Sequence, residues 1–168
     1  NINASGGTIA ASGGTLELIG SMLDGASLLQ IGANSRLKLD TLTSTATTAT
    51  FVGSGGTLEL NPNASLTLAN ALAVGANAVQ LDGVGSMLTD AAGLTLAGGS
   101  IAGAGSIAAN TDISGYGTVG LSLSTAGAIT ASGGTLNLTG TVTNRTLAIG
   151  TAANSNLKIS GTATSAAA

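Results

Sequence analysis

Carboxylates are the main side chains in this sequence with the chemistry for acid–base catalysis or metal binding. The 168 residues include no histidine and no cysteine, so the commonest general base, the commonest metal ligand and any thiol nucleophile are absent. The acids are seven in number: Glu17, Asp24, Asp40, Glu59, Asp82, Asp90 and Asp112. An enzyme that cleaves polysaccharides would have to bring several of them together in one cleft.

One pair of these acids has a spacing that suggests a shared site. Asn61 stands halfway between Asp40 and Asp82 in the sequence, and a hard cation prefers such oxygen ligands. Asp and Asn are also common turn residues, so the same spacing is typical of a column of solvated corners, and we favour that interpretation. The sequence therefore predicts no catalytic residue, no metal site and no cofactor, in a protein that is not an enzyme.

Three other stretches lack the residues that would make them ligand sites. DGVGSMLTD (Asp82–Asp90) does not have the order G-G-x-G-x-D of calcium-binding nonapeptides. GGSIAGAGS (Gly98–Ser106) is not followed by the lysine of a phosphate loop. TLTSTATTAT (Thr41–Thr50) would need outward threonines at matching positions of other repeats to form an ice-binding array. At one set of matching positions only two of the four residues are threonine, which does not fit such an array: Thr15, Arg36, Thr57 and Ala78.

A repeat identifies the elements that position these side chains. The heptapeptide SGGTLEL occurs at Ser12–Leu18 and Ser54–Leu60, and SGGTLNL follows at Ser132–Leu138. Equal steps along the chain from the first copy lead to further triplets with the order apolar, polar, apolar. They define three columns: Leu16, Leu37, Leu58 and Val79; Glu17, Lys38, Glu59 and Gln80; and Leu18, Leu39, Leu60 and Leu81. A fixed period of this length indicates a solenoid.

Each triplet is predicted to be a short β-strand, because alternation places its two apolar side chains on one face. Clusters of Gly, Asn and Ser before the triplets suit tight corners. Apolar residues between the triplets follow the same step: Ile31, Val52, Ala73 and Leu94. We therefore expect two or three strands in each period.

We predict an all-β fold, a right-handed parallel β-helix (β-solenoid) with about eight coils of roughly 21 residues. Strands this short cannot bury a face alone, so each pairs in parallel with its copy one coil away. The two apolar columns then face inward, and the column that starts at Glu17 faces outward with alternating charge. Residues 1–168 are interpreted as a single β-solenoid, a fragment of a longer repeat protein.

The period is irregular over about 91–130. Ile101, Ile107, Ile113 and Val119 follow one another at every sixth position there, as in left-handed hexapeptide helices. The alternative is that the right-handed solenoid continues through shorter coils. We favour continuity because the run ends after four members, and the sequence leaves the handedness of 101–119 open.

Charge and hydropathy exclude two kinds of partner. The chain has four basic and seven acidic residues, a net charge of −3, whereas binding to nucleic acid needs clustered Lys and Arg. No apolar run approaches the roughly 20 residues that a membrane-spanning helix requires. We expect neither nucleic-acid binding nor membrane insertion of this segment.

SGGTLELIG, LTLAGGSIAGAGSI and ISGYGTVG resemble the passenger repeats of bacterial autotransporters and related large surface adhesins. The resemblance covers most of the chain at the level of repeats and composition, without a catalytic motif. It implies a right-handed β-helix that is secreted and displayed at the bacterial cell surface. We expect a structural segment of an adhesin or extracellular fibre or matrix protein that supports adhesion, aggregation or biofilm formation. The alternative is a polysaccharide-binding or polysaccharide-processing solenoid.

The same interpretation predicts the partners. An open coil at either end has an unpaired strand edge, which favours head-to-tail self-association, and the low charge suits lateral packing of rods. Glycans, a host surface or a neighbouring cell are the expected adhesion ligands.

Overall fold

The backbone winds into a parallel β-helix whose turns stack along one axis. The computed structural model describes residues 2–20, 23–40, 43–108, 110–124, 127–143 and 145–164. Within these ranges there are strands and turns but no helix. The strands are β1 Ile2–Asn3, β2 Thr8–Ala11, β3 Thr15–Ile19, β4 Leu23–Gly32, β5 Arg36–Asp40, β6 Thr43–Val52, β7 Thr57–Leu60, β8 Ser65–Leu68, β9 Leu72–Gly75, β10 Ala78–Leu81, β11 Met87–Asp90, β12 Leu94–Gly103, β13 Ser106–Ile107, β14 Ile113–Val119, β15 Ala128–Leu138, β16 Thr141–Thr143, β17 Thr146–Ile149, β18 Asn156–Ile159 and β19 Thr162–Thr164.

Each turn passes over three faces, which we name by their outward side chains. The hydroxyl face contains β1, β8, β11, β13, β16 and β19 and the first halves of β4 and β6. The mixed face contains β2, β9 and β17, the second halves of β4 and β6, and the first halves of β12, β14 and β15. The charged face contains β3, β5, β7, β10 and β18 and the second halves of β12, β14 and β15.

Long strands carry the pairing around corners from one face to the next. For example, β15 pairs with β17 through residues 128–131 and with β18 through residues 135–138. The ladders consequently merge into sheets of seven and ten strands, with β16 and β19 as a separate pair. All of these pairings are parallel, so the predicted all-β, right-handed parallel β-helix is confirmed, with about seven turns where the sequence suggested about eight.

Aliphatic side chains from all three faces fill the interior. On the charged face, Leu37, Leu39, Leu58 and Leu60 are fully buried, and burial of each is worth roughly 1.5–3 kcal/mol. Leu16, in the first turn, is only partly buried because it lies at the open end of the stack. Inward leucines therefore supply most of the stabilisation, and the outward side chains add to it.

The equal steps predicted for the second apolar set are wrong. Ile31 pairs with Phe51, Val52 pairs with Gly32, and Leu94 pairs with Leu72. The step from Ile31 to its partner Phe51 is one residue shorter than the period. The corner that follows Phe51 contains one more residue than the corner that follows Ile31, which restores the period. Val52 is accordingly 51% exposed, because corners absorb the differences in length between turns.

The stretch in which every sixth residue is apolar belongs to the same winding. Ile101 pairs with Val119, one short turn later, within the charged-face ladder. Ile107 lies on the hydroxyl face and Ile113 on the mixed face. Three steps of six residues therefore make one short turn, with one of these inward side chains on each face. This explains the spacing without a left-handed hexapeptide helix.

Candidate functional site

The first ion pair on the charged face joins neighbouring turns. Glu17 pairs with Lys38 in the strand ladder, and Lys38 Nζ lies 2.6 Å from Glu17 Oε1. The hydrogen bond to Glu17 raises the pKa of Lys38, with further contributions from the charges of Glu17, Glu59 and Asp40. Lys38 therefore stays charged and acts as a bridge between turns, which makes it unsuitable as a general base.

Glu59 is the most deeply covered acid of the outward column. Its side chain is 6% exposed, and its Oε2 accepts a hydrogen bond from Arg36 Nη1 at 2.6 Å. With its amide nitrogen facing Glu59, Asn61 donates to Oε1 at 3.1 Å and accepts from Lys38 Nζ at 3.3 Å. The sequence placed Glu59 on the outside, and its strand position is indeed outward, but neighbouring side chains cover it.

The last member of the column, Gln80, forms its side-chain hydrogen bond within its own turn. Gln80 pairs with Glu59 in the ladder, and Gln80 Nε2 donates to Asp82 Oδ1 at 2.6 Å. Asp82 and Asn61 are thus occupied by contacts within the protein, which leaves few free oxygens for a cation beside Asp40. Among the described residues no cluster of three or more acids could hold a metal ion.

The corners before three of the charged-face strands, β5, β10 and β18, each contain a polar side chain that accepts a hydrogen bond from the preceding turn, which we call a polar staple. Ser35 Oγ accepts from Gly13 N of the preceding turn at 2.9 Å, and Ser155 Oγ accepts from Gly133 N at 3.1 Å. Gly13 and Gly133 both have φ of +75°, a conformation that glycine adopts without a steric penalty. In the SGGT copies at Ser12 and Ser132, the second residue is therefore fixed by the backbone turn and by the side chain above it.

Asn77 is the staple of a middle turn and is buried. Its Oδ1 accepts from Gly56 N at 2.8 Å, and its Nδ2 donates to Gly53 O at 3.1 Å and Val74 O at 3.0 Å. The shallow groove of about 240 Å³ beside it is lined by glycines, including Gly98, by alanines and by the hydroxyl-bearing residues Thr57, Ser100 and Thr118. Because the Asn77 amide is used within the corner, the groove offers a ligand only backbone groups and small hydroxyls.

Asp90 is a buried acid whose role the sequence did not reveal. It is 0% exposed, and its carboxylate accepts from the backbone nitrogens of Leu72 at 2.8 Å, Ala92 at 3.1 Å and Gly93 at 3.0 Å. Burial raises the pKa of Asp90, while the three backbone hydrogen bonds oppose that shift. Two features of the sequence could have indicated that Asp90 is buried. It lies two residues after the inward Leu88 and therefore on the same face of the strand, and it begins the turn sequence DAAG.

The same corner of later turns holds Thr111 and Arg145. Thr111 is fully buried, and its carbonyl accepts from Arg145 Nη1 at 2.8 Å. Burial lowers the pKa of Arg145, and the charge of Asp112 opposes this. Asp112 Oδ1 in turn accepts from Ala128 N of the next turn at 2.7 Å. Arg145 reaches Thr111 across the turn that lies between them, so both charged groups connect turns.

The hydroxyl face carries an ordered array of small polar groups. Thr45, Thr67 and Thr89 pair in succession and form one outward column. The outward side chains with a hydroxyl on this face are Thr43, Thr45, Ser65, Thr67, Thr89, Ser106, Ser122, Ser124, Thr141, Thr143, Thr162 and Thr164. No outward side chain described on this face is charged, so the described part of its surface is neutral.

The positions weighed for an ice-binding array are divided between faces. Thr15, Arg36, Thr57 and Ala78 pair in succession on the charged face and form a mixed column. Thr43 and Thr45 lie on the hydroxyl face, and Thr48 and Thr50 on the mixed face. Thr41 lies outside the described residues.

Comparison of the chain with protein-family models, with curated proteins and with solved structures found no match. A search of the described residues also found no helix long and apolar enough to cross a membrane. Any assignment of function therefore depends on the geometry above.

Proposed function

We propose that this chain is a non-catalytic structural segment of a bacterial cell-surface adhesin or extracellular fibre or matrix protein. In this role it is displayed outside the cell and supports adhesion, aggregation or biofilm formation. The observation that carries the proposal is that polar and charged side chains are used to join one turn to the next. A rod whose turns are joined in this way is suited to holding an adhesive surface away from the cell.

The occupied carboxylates favour a structural role over catalysis. Five acids have partners within the protein: Glu17 with Lys38, Glu59 with Arg36, Asp82 with Gln80, Asp90 with the nitrogen of Leu72, and Asp112 with the nitrogen of Ala128. A glycosidase needs one carboxyl free to donate a proton and another free to act on the sugar or on water. These pairings do not suit that division of tasks.

The hydroxyl face is the surface we assign to adhesion. Its neutral Ser and Thr columns can exchange hydrogen bonds with the hydroxyl groups of a glycan, because each hydroxyl is both donor and acceptor. Strand spacing of about 4.8 Å repeats these groups regularly along the rod. Many weak contacts on one rod then act together, which raises avidity without a deep pocket.

Beads coated with the protein test this assignment in a cell-adhesion and bead-aggregation assay. Thr67→Arg on the hydroxyl face should reduce adhesion severalfold, whereas Thr95→Arg on the mixed face should leave it unchanged. Both threonines are exposed outward residues of adjacent turns, so they are matched. Equal adhesion by the two variants would contradict the assignment to this face.

Release of reducing ends from polysaccharides by the purified chain would overturn the non-catalytic role and favour the polysaccharide-processing alternative. Tight binding to one glycan on an array, undisturbed by Thr67→Arg, would favour a dedicated glycan-binding site elsewhere. Rods or fibres in electron micrographs are the expected outcome.

A further inference from the structure

An amine, a carboxamide and a covered carboxylate meet on the charged face, where β5 lies beside β7. Lys38 Nζ lies 3.3 Å from the side-chain oxygen of Asn61, and the side-chain nitrogen of Asn61 donates to Glu59 Oε1 at 3.1 Å. The side chain of Glu59 is 6% exposed and that of Lys38 is 25% exposed. A nucleophile, an acyl group and a proton carrier are therefore in contact, and acyl transfer between side chains requires these groups.

We propose that Lys38 and Asn61 react slowly with each other to form a side-chain amide bond that ties two turns of the β-helix together covalently. Lys38 Nζ attacks the carboxamide carbon of Asn61, a new C–N bond forms, and the original C–N bond breaks with release of ammonia. One amide replaces another, so the step needs no oxidant, reductant or cofactor. The bond concerns the rod itself and does not depend on its adhesive role.

The fold holds the reacting groups close to the distance of attack. Lys38 pairs with Glu59 in the ladder, and Asn61 N donates to Leu39 O at 2.9 Å immediately after the last ladder pair. Backbone hydrogen bonds therefore fix the segments from which the three side chains project. The contact between Lys38 Nζ and the Asn61 oxygen falls within the roughly 3–3.5 Å at which reacting atoms are poised, so a small shift brings Nζ onto the adjoining carbon.

Glu59 is placed to carry the proton that moves during this exchange. The charged amine first loses one proton to water, which reaches it because the Lys38 side chain is partly exposed. After the attack, Glu59 Oε1 takes a second proton from Nζ and passes it to the Asn61 nitrogen that it already contacts. Ammonia leaves and takes up a proton from water. Glu59 ends as it began, and the positive charge of the lysine is carried away as ammonium.

Glu17 keeps the reaction slow. Its hydrogen bond is the largest cause of the raised pKa of Lys38; burial opposes the shift, and the charges of Glu17, Glu59 and Asp40 add to it. Arg36 is a further charged neighbour and is paired with Glu59. Only molecules with an uncharged amine can react, so the yield should rise with time and with pH.

The residue after Asn61 closes a competing route. An asparagine side chain can lose ammonia by cyclisation, in which the next backbone nitrogen attacks the carboxamide. The next residue here is Pro62, whose nitrogen carries no hydrogen. Attack by water would convert Asn61 to aspartate and leave the mass almost unchanged. Loss of ammonia at Asn61 therefore reports attack by another amine.

Mass spectrometry of the purified chain tests the proposal. During incubation at a series of values from about pH 7 to about pH 10, the intact protein should lose the mass of one ammonia, faster at higher pH. Proteolytic digestion should then yield a branched peptide that joins Lys38 to Asn61. No loss of ammonia after prolonged incubation at the alkaline end would overturn the proposal.

A second lysine–asparagine pair in the same molecule provides the internal control. Lys158 pairs with Asn137 across neighbouring strands, but β14, β15 and β18 contain no acid. The oxygen of Asn137 also accepts from Ser160 Oγ at 2.8 Å. This pair should remain unlinked, and branched peptides at both pairs in equal amounts would show that the acid has no part in the reaction.

Three substitutions separate the roles in the cluster. Lys38→Arg keeps the charge but removes the nucleophile, so it should abolish the loss of ammonia. Glu59→Gln removes the proton carrier and should slow the reaction by at least about tenfold. Glu17→Gln removes the main cause of the raised pKa of Lys38 and should speed the reaction severalfold at neutral pH. An unfolded variant cannot imitate this increase, and equal rates in all three variants and the unmodified chain would overturn the proposal.

Discussion

Glu59 Oε2 lies 2.6 Å from Arg36 Nη1, although Lys38 is its partner in the strand ladder. The contact is diagonal because Lys38 Nζ is already 2.6 Å from Glu17 Oε1 in the preceding turn. Asn61 connects the two pairs by bonding to both Glu59 and Lys38. The outward column is therefore two ion pairs joined by an amide, and its best-covered charge is Glu59.

Removing Arg36 should cost more stability than removing an exposed cation of the same face. Arg36→Met deprives a nearly buried carboxylate of its charged partner, and we expect a loss of about 1–3 kcal/mol in the free energy of unfolding. Lys158→Met, in the exposed last strand, is the control and should have little effect. Denaturant unfolding followed by circular dichroism measures both, and similar losses would contradict the importance of burial at Glu59.

Two neighbouring residues of β5 should differ sharply in their tolerance of an acid. Leu39→Asp places a charge among fully buried leucines and should unfold the local turns. Lys38→Glu loses one partly exposed ion pair and should cost much less. Thermal melts of the two variants rank them, and the reverse order would mean that the inward and outward columns are exchanged.

Asp90 should make stability depend on pH in the acid range. Its pKa is raised from the ordinary value of 3.8, so as pH rises the unfolded chain releases this proton before the folded chain does. The stabilising contribution of its protonated form is present below 3.8 and is lost as pH rises through the folded-state pKa. The stability difference between the unmodified chain and Asp90→Asn should therefore shrink from about pH 3 to pH 7.

Asp90→Asn should also lower stability by about 1–3 kcal/mol, because an amide cannot accept on both sides from Leu72 and the two turn nitrogens. Asp112→Asn, at an exposed position, is the control for the general effect of removing an acid. Denaturation curves of the unmodified chain and both variants, measured at several pH values, give the dependence of each stability difference on pH. An unchanged difference at every pH would show that Asp90 does not titrate with folding.

Two glycines should respond differently to a methyl group. A Cβ at Gly99 would overlap the carbonyl oxygens of Gly75 and Asn77, whereas a Cβ at Gly14 meets no atom within 4 Å. Gly99→Ala should therefore destabilise the chain by several kcal/mol, on the order of 3, and Gly14→Ala should be close to neutral. Melting temperatures compare them, and tolerance at Gly99 would mean that the turns are packed less closely there.

The architecture was predictable where turns have equal length. From Leu16 to Val79 the inward residues follow one another at equal steps, and period-2 alternation at each triplet indicated the strands and the inward side. The mixed face was harder because its turn at Ile31 is one residue shorter and the corner at Phe51 compensates. Spacing along a sequence does not separate residues in a strand from residues in a corner.

The later repeats show a second limit. Val119 pairs with Leu138, so the column that begins at the first leucine of SGGTLEL reaches the second leucine of SGGTLNL. Short turns between them shift the register by two residues, and identical letters therefore occupy neighbouring columns. Asp90 was missed for a different reason. An acid in a sequence is expected to be exposed, and the three backbone nitrogens that allow Asp90 to be buried are brought to it only by the fold.

Parallel stacking of the turns also determines how such a rod bears load. Hydrogen bonds between turns run along the long axis, so tension applied at its two ends pulls on them in series, and the outermost turn yields before the others. Each released turn of about 20 residues frees roughly 70 Å of extended chain while the remainder keeps its shape. A tether built this way would lengthen in small, reversible steps under pull and would dissipate energy long before any covalent bond was strained.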